Sequence, residues 1–112
     1  MNKPKLDNKK AIWIYNKLKH GEENAMKRDT LAIECKMSYR RIRMYLHYLR
    51  SIGMMVIDSQ QGLFKPSEDI TQAERELDDY IKRELSYIQN FQRNITAAKK
   101  YRTNMRCIQE EL

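Results

Sequence analysis

From Ser67 to Leu112 the chain contains neither glycine nor proline. Those two residues interrupt helices most strongly, so the run reads as one long helix. Ser67 can cap it, with Glu68 and Asp69 favourable in the first turn. Thr71 to Glu74, "TQAE", offers a capping box if the helix starts later. Steps of three and four residues pick out Leu77, Ile81, Glu84, Ile88, Phe91, Ile95, Ala98, Arg102, Met105, Gln109 and Leu112; eight of these eleven are apolar. This is a heptad-like seam, and Tyr80, Tyr87, Tyr101 and Ile108 widen it on one flank. A small domain cannot cover so long a stripe, so a partner helix is expected. The charge along the run is polar: residues 67–84 net −4 and residues 93–106 net +5. An antiparallel pairing sets opposite charges side by side, and a parallel one sets like charges together. The expectation is an antiparallel homodimer through Leu77, Ile81, Ile88, Phe91, Ile95, Ala98, Met105 and Leu112. An intrachain hairpin folded near Asn90 to Thr96 is the alternative, and it needs a break that no Gly or Pro supplies.

The rest of the chain carries the positive field. Residues 1–66 hold 14 Lys/Arg against six acids, a net of +8, in a chain whose total is +7. Pro66 disfavours continuation of either helix or central strand, so the expected division is a domain at 1–66 and a helical segment at 67–112. With a pI near 9.5, acidic partners are expected: nucleic acid first, anionic membrane second. No apolar run approaches a transmembrane span, and "MNKPKLDNKK" lacks the apolar core of a signal peptide. A soluble, cytoplasmic protein with no membrane association is expected. Cys35 and Cys107 have no CxxC spacing and read as reduced thiols.

"DNKKAIWIYNKLKHG" predicts a first helix. Asp7 or Asn8 caps it, Ala11, Ile14, Tyr15 and Leu18 share a face, and Gly21 stops it. Trp13 lies off that stripe and is expected to pack against another element, with a functional surface as the alternative. "RDTLAIECK" predicts a short second helix with Leu31, Ala32 and Cys35 inward. A tight turn at "KM" follows, and Ser38 caps a third helix, "SYRRIRMYLHYLRSIG". On that helix Ile42, Tyr45, Leu46, Leu49 and Ile52 share one broad face, while Arg40, Met44, His47 and Ser51 lie opposite. Arg43 and Arg50 occupy one shoulder, and Arg41 and Tyr48 the other. Gly53 ends the helix. "MMVID" and "LFK" are β-prone runs around "SQQG", a hairpin signal with Gly62 free to take positive φ.

This order resembles a winged helix-turn-helix domain over roughly residues 7–66. "TLAIECKMSYRRIRMYLHYLRSIG" followed by "MMVIDSQQGLFKP" carries the likeness: Met37 and Ser38 fit the turn, and Leu49, Arg50 and Gly53 fit the end of the recognition helix. Lys36 stands where glycine is common in such turns. The layout is also similar to small winged-helix proteins of phages and mobile elements. The fold expected is therefore mainly α with a small β-hairpin, followed by a long C-terminal helical segment.

The resemblance implies that the third helix offers its outer face to a DNA major groove, where arginine can bond bidentately to guanine. Ser38, Tyr39, Arg40, Arg43, Met44 and His47 are then the groove-facing candidates. Arg41 and Arg50 are candidates for phosphate or intramolecular contacts. Gln60, Gln61 and Lys65 in the wing are candidates for a flanking backbone or minor groove. Two function classes follow. One is a dimeric, sequence-specific double-stranded DNA-binding protein, acting in transcription regulation or as a phage replication or recombination accessory factor. The other is a protein-interaction module, a phage-type inhibitor or adaptor, that sets the same basic face on an acidic protein or a nucleic-acid enzyme. No Gly-rich phosphate loop, HExxH, zinc-type Cys/His set or nucleophile elbow is present in the sequence. No catalytic residue, metal ligand or cofactor is therefore expected.

Overall fold

The computed structural model describes residues 6–111, with side chains through Gln109. In chain order these form α1 (Asn8–Lys17), a single 3-10 turn (Glu22–Asn24), α2 (Arg28–Cys35), α3 (Tyr39–Ser51), β1 (Ile57–Ser59), β2 (Gly62–Phe64) and α4 (Ile70–Glu111). The architecture is mainly α with one antiparallel hairpin and a long C-terminal helix, as the sequence predicts. The chain divides into two compact units, the first running through Tyr80 and the second beginning at Ile81. The first unit thus takes in the opening turns of α4 as well as the segment before Pro66.

α3 packs against α1 and α2. Its period of apolar residues explains why. Ile42, Tyr45, Leu46 and Leu49 fall on one face and are all buried, against Ala11, Ile14 and Leu18 of the α1 segment and Leu31 and Cys35 of α2. Burying each large side chain stabilises the fold by about 1.5–3 kcal/mol. Ile52 does not join this face; it is 47% exposed. Helix α3 closes in a Schellman arrangement there: Gly53 N–H bonds Arg50 O at 3.1 Å and Met54 N–H bonds Leu49 O at 2.9 Å. Gly53, at φ 87°, turns the chain so that Met54 packs on the core in place of Ile52. Trp13 also departs from expectation. It stays 42% exposed, with Lys17 Nζ 4.7 Å from its ring centre on the same helix.

α1 begins as expected, with Asp7 Oδ1 accepting from Lys9 N–H at 2.9 Å. It ends at Lys17, short of Gly21. The reason is sheet pairing. Lys65 N–H bonds Lys19 O, Gly21 N–H bonds Lys65 O, and Met26 and Leu63 exchange both backbone bonds, all at 2.8–2.9 Å. The segment after α1 therefore lies along one edge of β2, while β1 pairs along the other with Ile57 opposite Phe64 and Ser59 opposite Gly62. β1 is shorter than "MMVID". Only Ile57–Ser59 pairs; the next hydrogen-bonded position of this ladder would fall at Pro66, which has no N–H to donate.

α4 starts at Ile70, three residues later than Ser67. Its cap is Asp69 in place of Ser67 or Thr71: Asp69 Oδ2 accepts from Gln72 N–H at 3.3 Å, and Ser67 Oγ accepts from Asp69 N–H in the turn before it. No break interrupts the helix near Asn90 to Thr96, so α4 is not an intrachain hairpin. Among the described residues, no helix is long and apolar enough to cross a membrane.

Two positions test the backbone logic. Lys36 sits in the left-handed region at φ 53°, closing α2 as Gly53 closes α3. A side chain there is strained, so Lys36→Gly is expected to raise stability by about 0.5–1 kcal/mol in urea unfolding. Gly62 has φ 129°, and an added Cβ would lie 2.3 Å from the Met26 carbonyl oxygen. Gly62→Ala is expected to destabilise by about 3 kcal/mol in the same measurement, because the backbone that it meets is itself held by sheet bonds.

Candidate nucleic-acid interface

The candidate surface is the outward face of α3. Ser38 sets its start, with Oγ accepting from Arg41 N–H at 3.3 Å and extended φ/ψ at the cap. From there Arg40, Arg43 and His47 are exposed, and Met44 is half-buried between them and the core side. The inner face is fixed by Tyr45 and Leu46, so rotation of the helix is not free. The Tyr45 hydroxyl accepts from Asp7 N–H at 3.4 Å, and the Tyr48 hydroxyl donates to Asn8 Oδ1 at 2.9 Å. Both contacts tie α3 to the cap of α1, and they leave the Arg40–Arg43–His47 face turned away from the core.

The basic residues divide into those that face outward and those that build the fold. Arg50 belongs to the second group. Its Nε donates to Val56 O at 2.9 Å, and its guanidinium carbon stands 5.5 Å from the Tyr80 ring centre. Arg28 is another, pairing with Asp58 and donating to Ser59 O at 3.2 Å. Tyr39 is drawn into the same cluster. It is half-buried beside Arg28, and burial first, then nearby Asp58, push its phenol above the ordinary range. Arg41 stands at the Tyr45 ring, 5.7 Å from its centre. Lys65 places Nζ 4.8 Å from the centre of the Tyr15 ring. In the hairpin, Gln60 and Gln61 form the exposed turn, held by Gln61 N–H donating to Ser59 Oγ at 3.1 Å. The sequence-derived set therefore separates. Arg40, Arg43 and His47 are exposed on the outward side of α3 with Ser38 at its cap, Gln60 and Gln61 lie at the hairpin tip, Arg41 and Lys65 each lie against an aromatic ring, and Tyr39 and Arg50 are engaged within the fold.

One residue of structural consequence has no signature in the sequence. Glu76 is 5% exposed, although it reads as one more acid in an acidic helix turn. Its carboxylate accepts from Glu22 N–H and Ser67 N–H, each at 2.8 Å, and from the Gln72 side-chain amide at 3.3 Å. A buried carboxylate is tolerated when hydrogen bonds replace its lost water. Glu76 thereby joins the loop after α1, the segment after β2 and the start of α4. No group of His, Cys, Asp and Glu among the described residues is arranged to hold a metal ion. Cys35 is buried, which pushes its thiol up; Cys107 is exposed.

On the seam of α4 the residues also separate. Leu77 is half-buried and belongs to the first unit, whereas Ile81, Ile88, Phe91, Ile95 and Met105 are each more than half exposed. Ala98 is exposed too, and Leu112 lies outside the described residues.

The two classes of arginine should respond differently to removal. Arg50→Ala is expected to cost about 1.5–3 kcal/mol in urea unfolding, since it strips a charge-assisted bond from the Val56 carbonyl. Arg40→Ala is expected to stay within about 0.5 kcal/mol of the parent chain. Compared with known proteins, the chain matches no family model, no curated protein and no solved structure, so its functional reading rests on this geometry.

Proposed function

We propose that the chain is a double-stranded DNA-binding protein that uses a winged helix-turn-helix arrangement, with α3 as the helix that enters the major groove. One observation carries this reading. The helix that packs most deeply into the core turns a face with Arg40, Arg43 and His47 outward, starting at a capped N-terminus. A B-DNA major groove accepts one helix, and side chains in its N-terminal half reach base edges most readily. Arg40 and Arg43 are the candidates for guanine, and Ser38 and His47 for adjacent bases or phosphates. Gln60 and Gln61, exposed at the hairpin tip, are the candidates for contacts beside the groove. The +8 charge of residues 1–66 supplies the sequence-independent attraction that brings the helix to the duplex. The regulatory and replicative roles expected from the sequence both fall within this reading.

Arg41 and Lys65 each lie against an aromatic ring, and a cation so placed keeps donors for a phosphate. Arg50 does not belong to the proposed contact set, because its Nε is already spent on Val56.

The test is titration of a fluorescent duplex across salt concentrations. Non-specific dissociation constants of roughly 10⁻⁴–10⁻⁶ M are expected near physiological salt, with a log–log salt slope of about −0.9 per phosphate neutralised. Arg40→Ala and Arg43→Ala should each weaken binding to a preferred site by about 1–3 kcal/mol where the contact is bidentate to a base. Loss without sequence preference, with the slope falling by about one, assigns the residue to phosphate instead. Absence of duplex binding even at low salt rejects the proposal and leaves an acidic protein surface as the partner of this face.

A further inference from the structure

We infer that residues 81–105 of α4 pair with a second copy of this chain as an antiparallel two-helix seam, in a single register set by Glu84 and Arg102. The inference rests on a different part of the molecule from the DNA-binding face and stands without it. Three observations carry it. α4 is unbroken, so the helix does not fold back on its own stripe. Ile81, Ile88, Phe91, Ile95 and Met105 are 52%, 51%, 64%, 54% and 52% exposed. And the charge pattern of the stripe distinguishes its possible partners.

In heptad terms Ile81, Ile88, Ile95 and Arg102 occupy a positions, and Glu84, Phe91, Ala98 and Met105 occupy d positions. Antiparallel pairs match a with d across the two-fold axis. One register places Ile81 on Met105 of the second copy, Ile88 on Ala98 and Phe91 on Ile95. The same register places Glu84 on Arg102 of the second copy, twice per dimer. The only two charged residues of the stripe thus meet each other, and every other layer is apolar. Sliding by one heptad in either direction sets both Glu84 and Arg102 against uncharged residues. A parallel pair sets Glu84 on Glu84 and Arg102 on Arg102, which is repulsive in both layers. The flank agrees, because Tyr87 then lies beside Tyr101 of the second copy. The seam spans about 36 Å at 1.5 Å per residue. Polar residues at a and d positions cost stability and fix orientation, which is the role assigned to this pair.

The experiment is sedimentation velocity on the full chain and three full-length variants, with circular dichroism to establish that each is folded. The substitutions lie at exposed positions and exchange good helix formers, so helix content should be retained. The parent should be a dimer at micromolar concentration. Glu84→Arg and Arg102→Glu should each weaken the dimer by about 100-fold or more, since each puts like charges in two layers. The double variant E84R/R102E should recover the parent dissociation constant within about tenfold, because an antiparallel pair again matches opposite charges. A monomeric parent chain overturns the inference and points to a foreign helix as the partner. Single variants that dimerise like the parent overturn the register. A double variant no better than the singles overturns the antiparallel direction, because in a parallel pair the exchange leaves both layers repulsive.

Discussion

The fold depends on a strand of three residues that is bonded along both edges. β2, Gly62–Phe64, holds β1 on one side and the segment after α1 on the other. Gly62 admits the Met26 backbone at a distance no side chain would allow. Leu63 and Phe64 next to it are buried, so the pairing is sealed from water, where competing solvation would weaken it. From this strand the other constraints spread. The loop it recruits carries Glu22, whose N–H reaches the buried Glu76 of α4. The strand it pairs with carries Asp58 and Ser59, which hold Arg28 at the start of α2. Beside that strand, Val56 receives the Arg50 side chain of α3. The hairpin therefore organises the helices more than it projects from them.

The helices were legible because their signals are local. Apolar spacing alone placed Ile42, Tyr45, Leu46 and Leu49 inward on α3, and Ser38 and Gly53 marked its ends. Sequence and structure part where a non-local bond outranks a local preference. Gly21 is a sound helix stop, but "KHGEENAM" has no strand alternation to announce that it will pair with residues forty positions later. Ser67 and Thr71 are both good caps, yet Asp69 was selected because the Glu76 bonds fix where the chain enters α4. Ile52 matched the period of its helix and lost its place because the Schellman turn delivered Met54 to the same surface. A period describes a face only as far as the helix continues.

For the candidate interface the sequence overstated the positive face. Counting arginines on a helical wheel treats them as equivalent. The structure distinguishes them by what lies beside each one. Arg28 donates to a carbonyl of β1 and Arg50 to the carbonyl of the residue before that strand, and Tyr39 lies partly buried beside Arg28. Arg40, Arg43 and His47 remain exposed. Arginine is suited to both uses, since its planar fork satisfies a buried carbonyl as well as it does a guanine edge. Helical phase could exclude a buried position. It could not say which shoulder of α3 faces the hairpin, because that depends on the turn at Gly53.

α4 shows the same division between two kinds of charge. In its first turns Glu76 is buried and fully hydrogen-bonded, and Gln72 and Leu77 lie partly within the first unit. From Ile81 onward the same helix carries charge on an apolar stripe whose large side chains are more than half exposed. A lone carboxylate at Glu84 in an otherwise apolar seam would be a defect, costing desolvation with no return. So would a lone Arg102. Their separation in the sequence makes one the partner of the other only when two such helices run in opposite directions at one offset. Hydrophobic residues at those two positions would make a stronger seam and a less discriminating one, since apolar layers fit equally well after a heptad slip or a reversal of direction. In the proposed dimer, the residues that weaken the stripe are the ones that determine how it pairs.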